Sequence, residues 1–159
     1  MRLEHPFEPV FDSRSRVLIL GSFPSVRSRA EGFYYGHPQN RFWRVLAELF
    51  DEPVAITNER RRDQLLRHHI ALWDVIASCD IKGSSDASIT NAVPNDLSRI
   101  LDSADIRGIF VNGKTAEKYY IKYSENMARR KAVCLPSTSP ANAAWSMEKL
   151  VEAWSEVTK

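Results

Sequence analysis

The chain is poor in cysteine: Cys79 and Cys134 are the two it has in 159 residues, and they stand far apart. That excludes a four-cysteine zinc or iron–sulfur site, and a disulfide framework of the secreted kind is not expected. Long hydrophobic runs are missing as well. The longest purely apolar stretches are a handful of residues, so no membrane-spanning helix is expected. The first residues, Met1-Arg2-Leu3-Glu4-His5-Pro6, lack an apolar signal core, and a reducing, cytoplasmic setting is expected. Nor is there a large excess of either charge. Lys and Arg number 22 against 20 Asp and Glu, a net of +2, which permits a nucleic-acid partner without demanding one.

What is present fits an ordinary globular protein. A length of 159 residues with 43% apolar content suits one domain, residues 1–159, with a full core. Residues 1–15 read as an extended lead-in. Short apolar runs at 17–20, 70–76, 108–113 and 131–135 read as strands buried on both faces. Helical stripes lie between them at 43–50, 60–69, 97–104 and 115–126, with a last one at 147–157. Residues 26–39 and 79–93 read as loops, and Pro94 suits the first turn of a helix. Strands alternating with helices predict a three-layer α/β/α sandwich around a four-stranded parallel sheet. In such sheets ligands bind beyond the carboxyl ends of the strands. The turn after Leu20, the Trp73-Asp74 segment and the loop after Leu135 should therefore meet.

Residues 32–43, GFYYGHPQNRFW, concentrate aromatics and polar groups in one loop, where binding groups tend to gather. Phe42 and Trp43 read as core, while Tyr34 or Tyr35 offers a flat face for a base. Asn40 caps the next helix, orients a water or reads a base edge. His37 makes a structural hydrogen bond or donates to a ligand. Residues 137–142, STSPAN, offer hydroxyls and amides at a helix entry, which suits either capping or a phosphate. Arg27 and Arg29 are candidates for phosphate contact; Arg60, Arg61 and Arg62 read as a solvated face. Asp74 ends a strand on the site face and reads as a cap, and the sequence assigns no role to Asp86. Residues 108–115, GIFVNGKT, match the P-loop pattern formally. Their Ile109, Phe110 and Val111 form a strand whose amides are needed for its ladder, so a phosphate cradle is not expected.

Taken together, these motifs resemble the uracil-DNA glycosylase superfamily. Gly21-Ser22-Phe23-Pro24-Ser25 sits where that family has its first motif. GFYYGHPQNRFW is similar to the pocket segment of the mismatch-specific enzymes, and Leu135-Pro136-Ser137-Thr138-Ser139-Pro140-Ala141-Asn142 falls at the DNA-inserting loop. Phe23 stands where those enzymes carry a water-positioning Asn, and Ala141 where a bulky wedge is usual. These departures resemble the hypoxanthine-DNA glycosylase branch, in which the Asn of the HPxN segment, here Asn40, is catalytic.

The resemblance implies an enzyme without metal or cofactor that hydrolyses the N-glycosidic bond of a flipped, deaminated base in double-stranded DNA, acting as a monomer. It implies Ser22, Phe23, Tyr35 and His37 in the base pocket. Ser137, Thr138, Ser139, Pro140, Ala141 and Asn142 would lie on the DNA, with Arg27 and Arg29 beside them. Two other readings stay open: excision of uracil or thymine from G:U and G:T mismatches, and a DNA-binding module without chemistry.

Overall fold

The structure is a computed structural model that describes residues 2–83 and 85–159. The chain begins with a short strand, β1 (Arg2–Glu4), and then forms β2 (Val17–Gly21). Helices α1 (Val26–Glu31), α2 (Phe42–Phe50) and α3 (Asn58–Arg67) follow. Next come β3 (Ile70–Asp74), β4 (Ile76–Asp80), β5 (Thr90–Pro94) and the short α4 (Ser98–Leu101). Strand β6 (Gly108–Asn112) leads into α5 (Lys114–Tyr119), which continues through a π-helical turn into α6 (Glu125–Ala128). Strand β7 (Val133–Leu135) and helix α7 (Met147–Trp154) complete the elements that position the site.

Strands β3, β2, β6 and β7 form one parallel sheet in that order. Leu18, Ile19, Leu20 and all five residues of β3 are buried, the pattern of strands covered on both faces. Helix α3 packs on β3, α5 on β6, and α2 on α7. This is the α/β sandwich that the alternation of strands and helices predicts. Trp154, Tyr34, Tyr120 and Phe42 are the largest fully buried side chains. The polar ends of three are satisfied by carbonyls: Trp154 Nε1–H donates to Pro136, Tyr120 to Arg130 and Tyr34 to Glu8. Among the described residues no helix is long and apolar enough to cross a membrane.

Five expectations are corrected. The apolar run 70–76 is two strands. Val75 leaves the parallel sheet, and β4 joins a second, antiparallel sheet of order β1-β4-β5. The lead-in therefore contains a strand, β1. The 79–93 loop holds the end of β4 and most of β5. Pro94 closes a strand opposite Ile76 rather than opening a helix; at that position its missing N–H breaks no ladder. Finally, residues 26–31 are helical. Ser25 Oγ accepts the Ser28 amide at the start, and Gly32 ends the helix at φ 73°, a left-handed cap that glycine adopts readily.

Away from the sheet ends, Glu52 ties α2 to α3. Arg67 donates to both of its oxygens at 3.0 and 3.2 Å, His68 Nε2 lies at 2.8 Å, and Gln64 donates at 3.1 Å. The hydrogen bond from Arg67, helped by His68 and Gln64 against the effect of burial, holds the Glu52 carboxyl at about 2. An unfolded Glu titrates near 4.3, about two units higher, so this group stabilises the fold above that pH. The contribution disappears as pH falls toward 2. In chemical denaturation, Glu52→Gln should be less stable than the wild type at neutral pH. The gap should narrow between about pH 5 and pH 2; a gap that stays constant would disprove the assignment.

Candidate active site

Strands β2 and β3 end side by side, with Gly21 the register partner of Asp74. A Cβ added to Gly21 would lie 2.4 Å from Asp74 Oδ1 and 2.9 Å from the Tyr35 hydroxyl. No side chain fits there. The next residues turn away as Ser22-Phe23-Pro24-Ser25 and enter α1. Ser28 is buried in α1; its Oγ accepts the Gly36 amide at 2.9 Å and holds the pocket loop against the helix. Tyr35 adopts φ 52°, a left-handed conformation that a bulky residue rarely takes. Its ring stacks on Phe42 at 4.3 Å, and Tyr35 also lines the cavity that these segments form. Asn40 Oδ1 accepts the Phe42 amide at 3.0 Å. The N-cap of α2 is Arg41, which makes no side-chain cap bond, so Asn40 is not the cap expected of it; its bond to the residue two positions on is a local turn that fixes the amide side chain just before the helix.

Two clamps join this loop to the segment after β7. The Arg41 amide donates to the Thr138 carbonyl at 3.1 Å, and the Arg41 guanidinium donates to the carbonyls of Asn142 and Trp145. At the end of β6, Asn112 takes Thr138 with both ends of its amide. Its Nδ2 donates to Thr138 Oγ1 at 3.0 Å and its Oδ1 accepts the Thr138 amide at 3.1 Å.

The result is one cavity of about 380 Å³, within the range of small-ligand sites. Ser22, Phe23, Tyr35, His37, Asn40, Ser137, Thr138, Ser139, Pro140 and Ala141 all line it. Asn142 faces a neighbouring cavity of about 610 Å³, with Lys114, Thr115 and Trp145. Arg27 and Arg29 line neither. Arg27 pairs with Glu31 on the surface of α1. Arg29 donates to the carbonyls of Pro24 and Gly83 and sits 5.9 Å over the Phe23 ring, which braces the turn behind the pocket. His37 Nδ1 accepts the Gln39 amide at 3.1 Å, so the other ring nitrogen is its available donor. The P-loop pattern is strand β6, as expected: Ile109, Phe110 and Val111 are laddered to β2, and the Gly113 amide donates to Leu135.

Three polar residues of the cavity wall were given no part in the chemistry of the site from sequence, although Asp74 was expected on its face. Asn112 was hidden within the P-loop pattern. Asp86 stands where the two cavities meet and accepts from Ser22 Oγ at 3.2 Å. The protein packed around it raises its pKa, against the opposing hydroxyls of Ser22 and Thr115. Asp74 does not cap a helix. Its Oδ2 lies 2.8 Å from His5 Nε2, both side chains are 5% exposed, and His5 Nδ1 lies 2.8 Å from the Phe7 carbonyl. Its place at the end of a buried strand was a usable signal; nothing in the sequence pointed to His5. Burial, reinforced by Asp74, pushes both Tyr34 and Tyr35 phenols far above their usual range, so they stay neutral. The Tyr35 hydroxyl is buried without a hydrogen-bond partner among the described residues. Among those residues no group of three or more His, Cys, Asp or Glu side chains could hold a metal ion.

Gly21→Ala should force Asp74 and Tyr35 apart and destabilise the fold by about 1–3 kcal/mol, the usual consequence of overpacking. Urea titration measures this. A neutral substitution would show that the strand ends do not approach as closely as described.

Comparison with known proteins gives this arrangement a family. Residues 8–158 match the family model of the uracil DNA glycosylase superfamily. The chain is 33% identical over 157 residues to a hypoxanthine DNA glycosylase of Methanosarcina acetivorans, covering 98% of both chains. It is 36% identical over 115 residues to a hypoxanthine DNA glycosylase of Methanosarcina barkeri, covering 71% of this chain and 73% of that one. Its fold matches, over the full length of both chains, a solution NMR structure of a protein assigned provisionally as a uracil DNA glycosylase from M. acetivorans. The TM-score is 0.81 at 29% identity. The family match, which takes in the strand-end turn, the pocket loop and the segment after β7, shows that this chain belongs to the uracil DNA glycosylase superfamily.

Proposed function

We propose that this chain is a monofunctional DNA glycosylase that hydrolyses the N-glycosidic bond of hypoxanthine in DNA. The observation that carries the reading is the single cavity in which three separate segments meet: the turn 21–25, the loop 34–40 and residues 137–141. Its volume suits one purine and excludes a duplex, so the target nucleotide must leave the stack to enter. That both curated relatives are hypoxanthine DNA glycosylases supports the choice of base.

In this reading the base slides against Tyr35, whose far face is backed by Phe42. Stacking of this kind accepts any flat base. The amide of Asn40, already held by the Phe42 N–H, orients a water toward the anomeric carbon as the sugar gains oxocarbenium character. The backbone amides around Phe23 and the Ser22 hydroxyl, which turns from Asp86 to the base, stabilise the negative charge that develops on the leaving group. His37 adds a donor at the rim. Ser137, Ser139 and Asn142 contact backbone phosphates, and Pro140 and Ala141 fill the gap left in the stack. Arg27 and Arg29, on the turn side, add long-range positive charge. The enzyme acts on duplex DNA as a monomeric single domain, in the cytoplasm.

Duplexes carrying one hypoxanthine, xanthine, uracil or thymine, treated with protein and then alkali, test the reading. Strand cleavage at hypoxanthine should be fastest. Absence of cleavage at every lesion would favour a binding module and sink the proposal. Asn40→Ala should slow hypoxanthine release by about a hundred- to a thousand-fold. It should also remove the hydrogen bond to the Phe42 amide, worth about 1 kcal/mol, while affinity for DNA holding an abasic site stays close to wild type.

A further inference from the structure

Hypoxanthine and adenine have nearly the same outline. They differ along one edge: hypoxanthine carries a carbonyl at C6 and an N1–H donor, and adenine an amino group at C6 and a bare N1 that accepts. Shape and stacking cannot separate them, because both offer the same flat face. A pocket that releases one and spares the other needs a polar group of fixed sense on that edge: a donor facing C6, or a buried acceptor facing N1 that cannot become a donor. A site built to pair with an N–H rejects the analogue lacking it strongly, since its own polar group is then left unpaired.

Most polar groups at the cavity floor are already engaged. Both ends of the Asn112 amide hold Thr138, and the Tyr34 hydroxyl donates to Glu8. Asp74 is different. Its side chain is 5% exposed and its Oδ2 is held by His5, while Oδ1 accepts no hydrogen bond from the described residues. Oδ1 and the unpartnered Tyr35 hydroxyl converge on the bare backbone of Gly21. Asp74 and Tyr35 both line the cavity, so these two groups stand where a base entering it would meet them.

The protons of the pair can be placed. The Phe7 carbonyl only accepts, so His5 Nδ1 carries a hydrogen and donates to it. The short contact between Nε2 and Oδ2 then contains one further proton, held by the nitrogen or by the oxygen. In either case Oδ1 has none. A lone buried carboxyl would take up a proton on either oxygen and could then donate to adenine N1. His5 confines that proton to the far side.

We infer that Asp74 Oδ1 reads the N1–H of the flipped purine, and that His5 is a positioning residue that keeps this oxygen an acceptor, so that hypoxanthine is released and adenine refused. The inference rests on the glycosylase reading above and names the group that sets its specificity.

Single-turnover release is measured from matched duplexes carrying deoxyinosine, 1-methyldeoxyinosine or deoxyadenosine. Wild-type protein should release hypoxanthine and lose about a hundred-fold or more on the N1-methylated base, which has no N1–H to give. Asp74→Leu should slow hypoxanthine release by about ten- to a hundred-fold, with affinity for abasic-site DNA retained. His5→Leu should lower the hypoxanthine-to-adenine ratio by about tenfold or more, and His5→Gln, whose amide still donates to Oδ2, should restore it. A purely structural role for His5 would change both rates together and leave the ratio alone. Wild-type protein that releases 1-methylhypoxanthine as fast as hypoxanthine overturns the inference whether or not the variants fold, and so does an unchanged ratio in folded His5→Leu. Either result leaves the glycosylase reading standing. Wild-type protein that releases hypoxanthine from no duplex overturns that reading and this inference with it.

Discussion

The buried pair between Asp74 and His5 is the constraint around which the site is arranged. Asp74 is the last residue of β3, and after it the chain leaves the parallel sheet for the antiparallel one. A carboxyl at that junction, almost without solvent, must be partnered; stripping one member from a buried pair typically costs about 3–5 kcal/mol. The partner comes from the far end of the chain. Residues after β1 fold back along β3 and β4, with the His5 amide donating to Ala77 and Val10 bridged to Leu72. The second sheet therefore does more than cover an edge. It delivers the imidazole that lets a carboxyl sit at the floor of a pocket. The same crowding requires glycine at position 21.

Around that floor the walls are fixed by bonds that cross between segments. Ser28 holds the loop backbone at Gly36, Arg41 holds the segment after β7, and Asn112 Oδ1 holds the Thr138 amide. Each is a polar side chain bound to main chain, which sets position without filling the cavity. Groups that act on a substrate must be held by others that do not. Phe42 serves both needs: it is fully buried in the core and its half-buried partner across the stack, Tyr35, lines the cavity.

Much of this was legible from local pattern. The run Val17-Leu18-Ile19-Leu20 ending in glycine reads as a buried strand because parallel strands hide both faces. The loop at 32–43 reads as a binding loop, and STSPAN as a helix entry able to hold a phosphate, because each gathers more polar and aromatic groups than a connection needs; Phe42 and Trp43 read as core, and both are buried. The P-loop match could be dismissed on the hydrogen-bonding needs of its own strand. Other features were hidden. The run 70–76 looks like one strand because apolar content does not record a change of sheet. Strand β1 is three residues long and pairs with residues more than seventy positions away. Helix α1 has no apolar stripe and is held by Ser25 and Gly32 at its ends.

Local chemistry, then, was determined by the sequence alone: which stretches bury both faces, where chains must turn, and which loop is equipped to hold a flat ligand. These follow from side-chain type and spacing within a few residues, which is where propensity and periodicity act. Only the tertiary structure decided which distant groups meet. His5 and Asp74 are 69 positions apart, and nothing in either neighbourhood reveals the other. Their pairing exists because two sheets diverge at Val75 and the first residues return across the gap. The same packing engages Arg29 behind the turn and brings Asn112 to Thr138. Long-range hydrogen bonds of this kind form only once the core has brought their elements together.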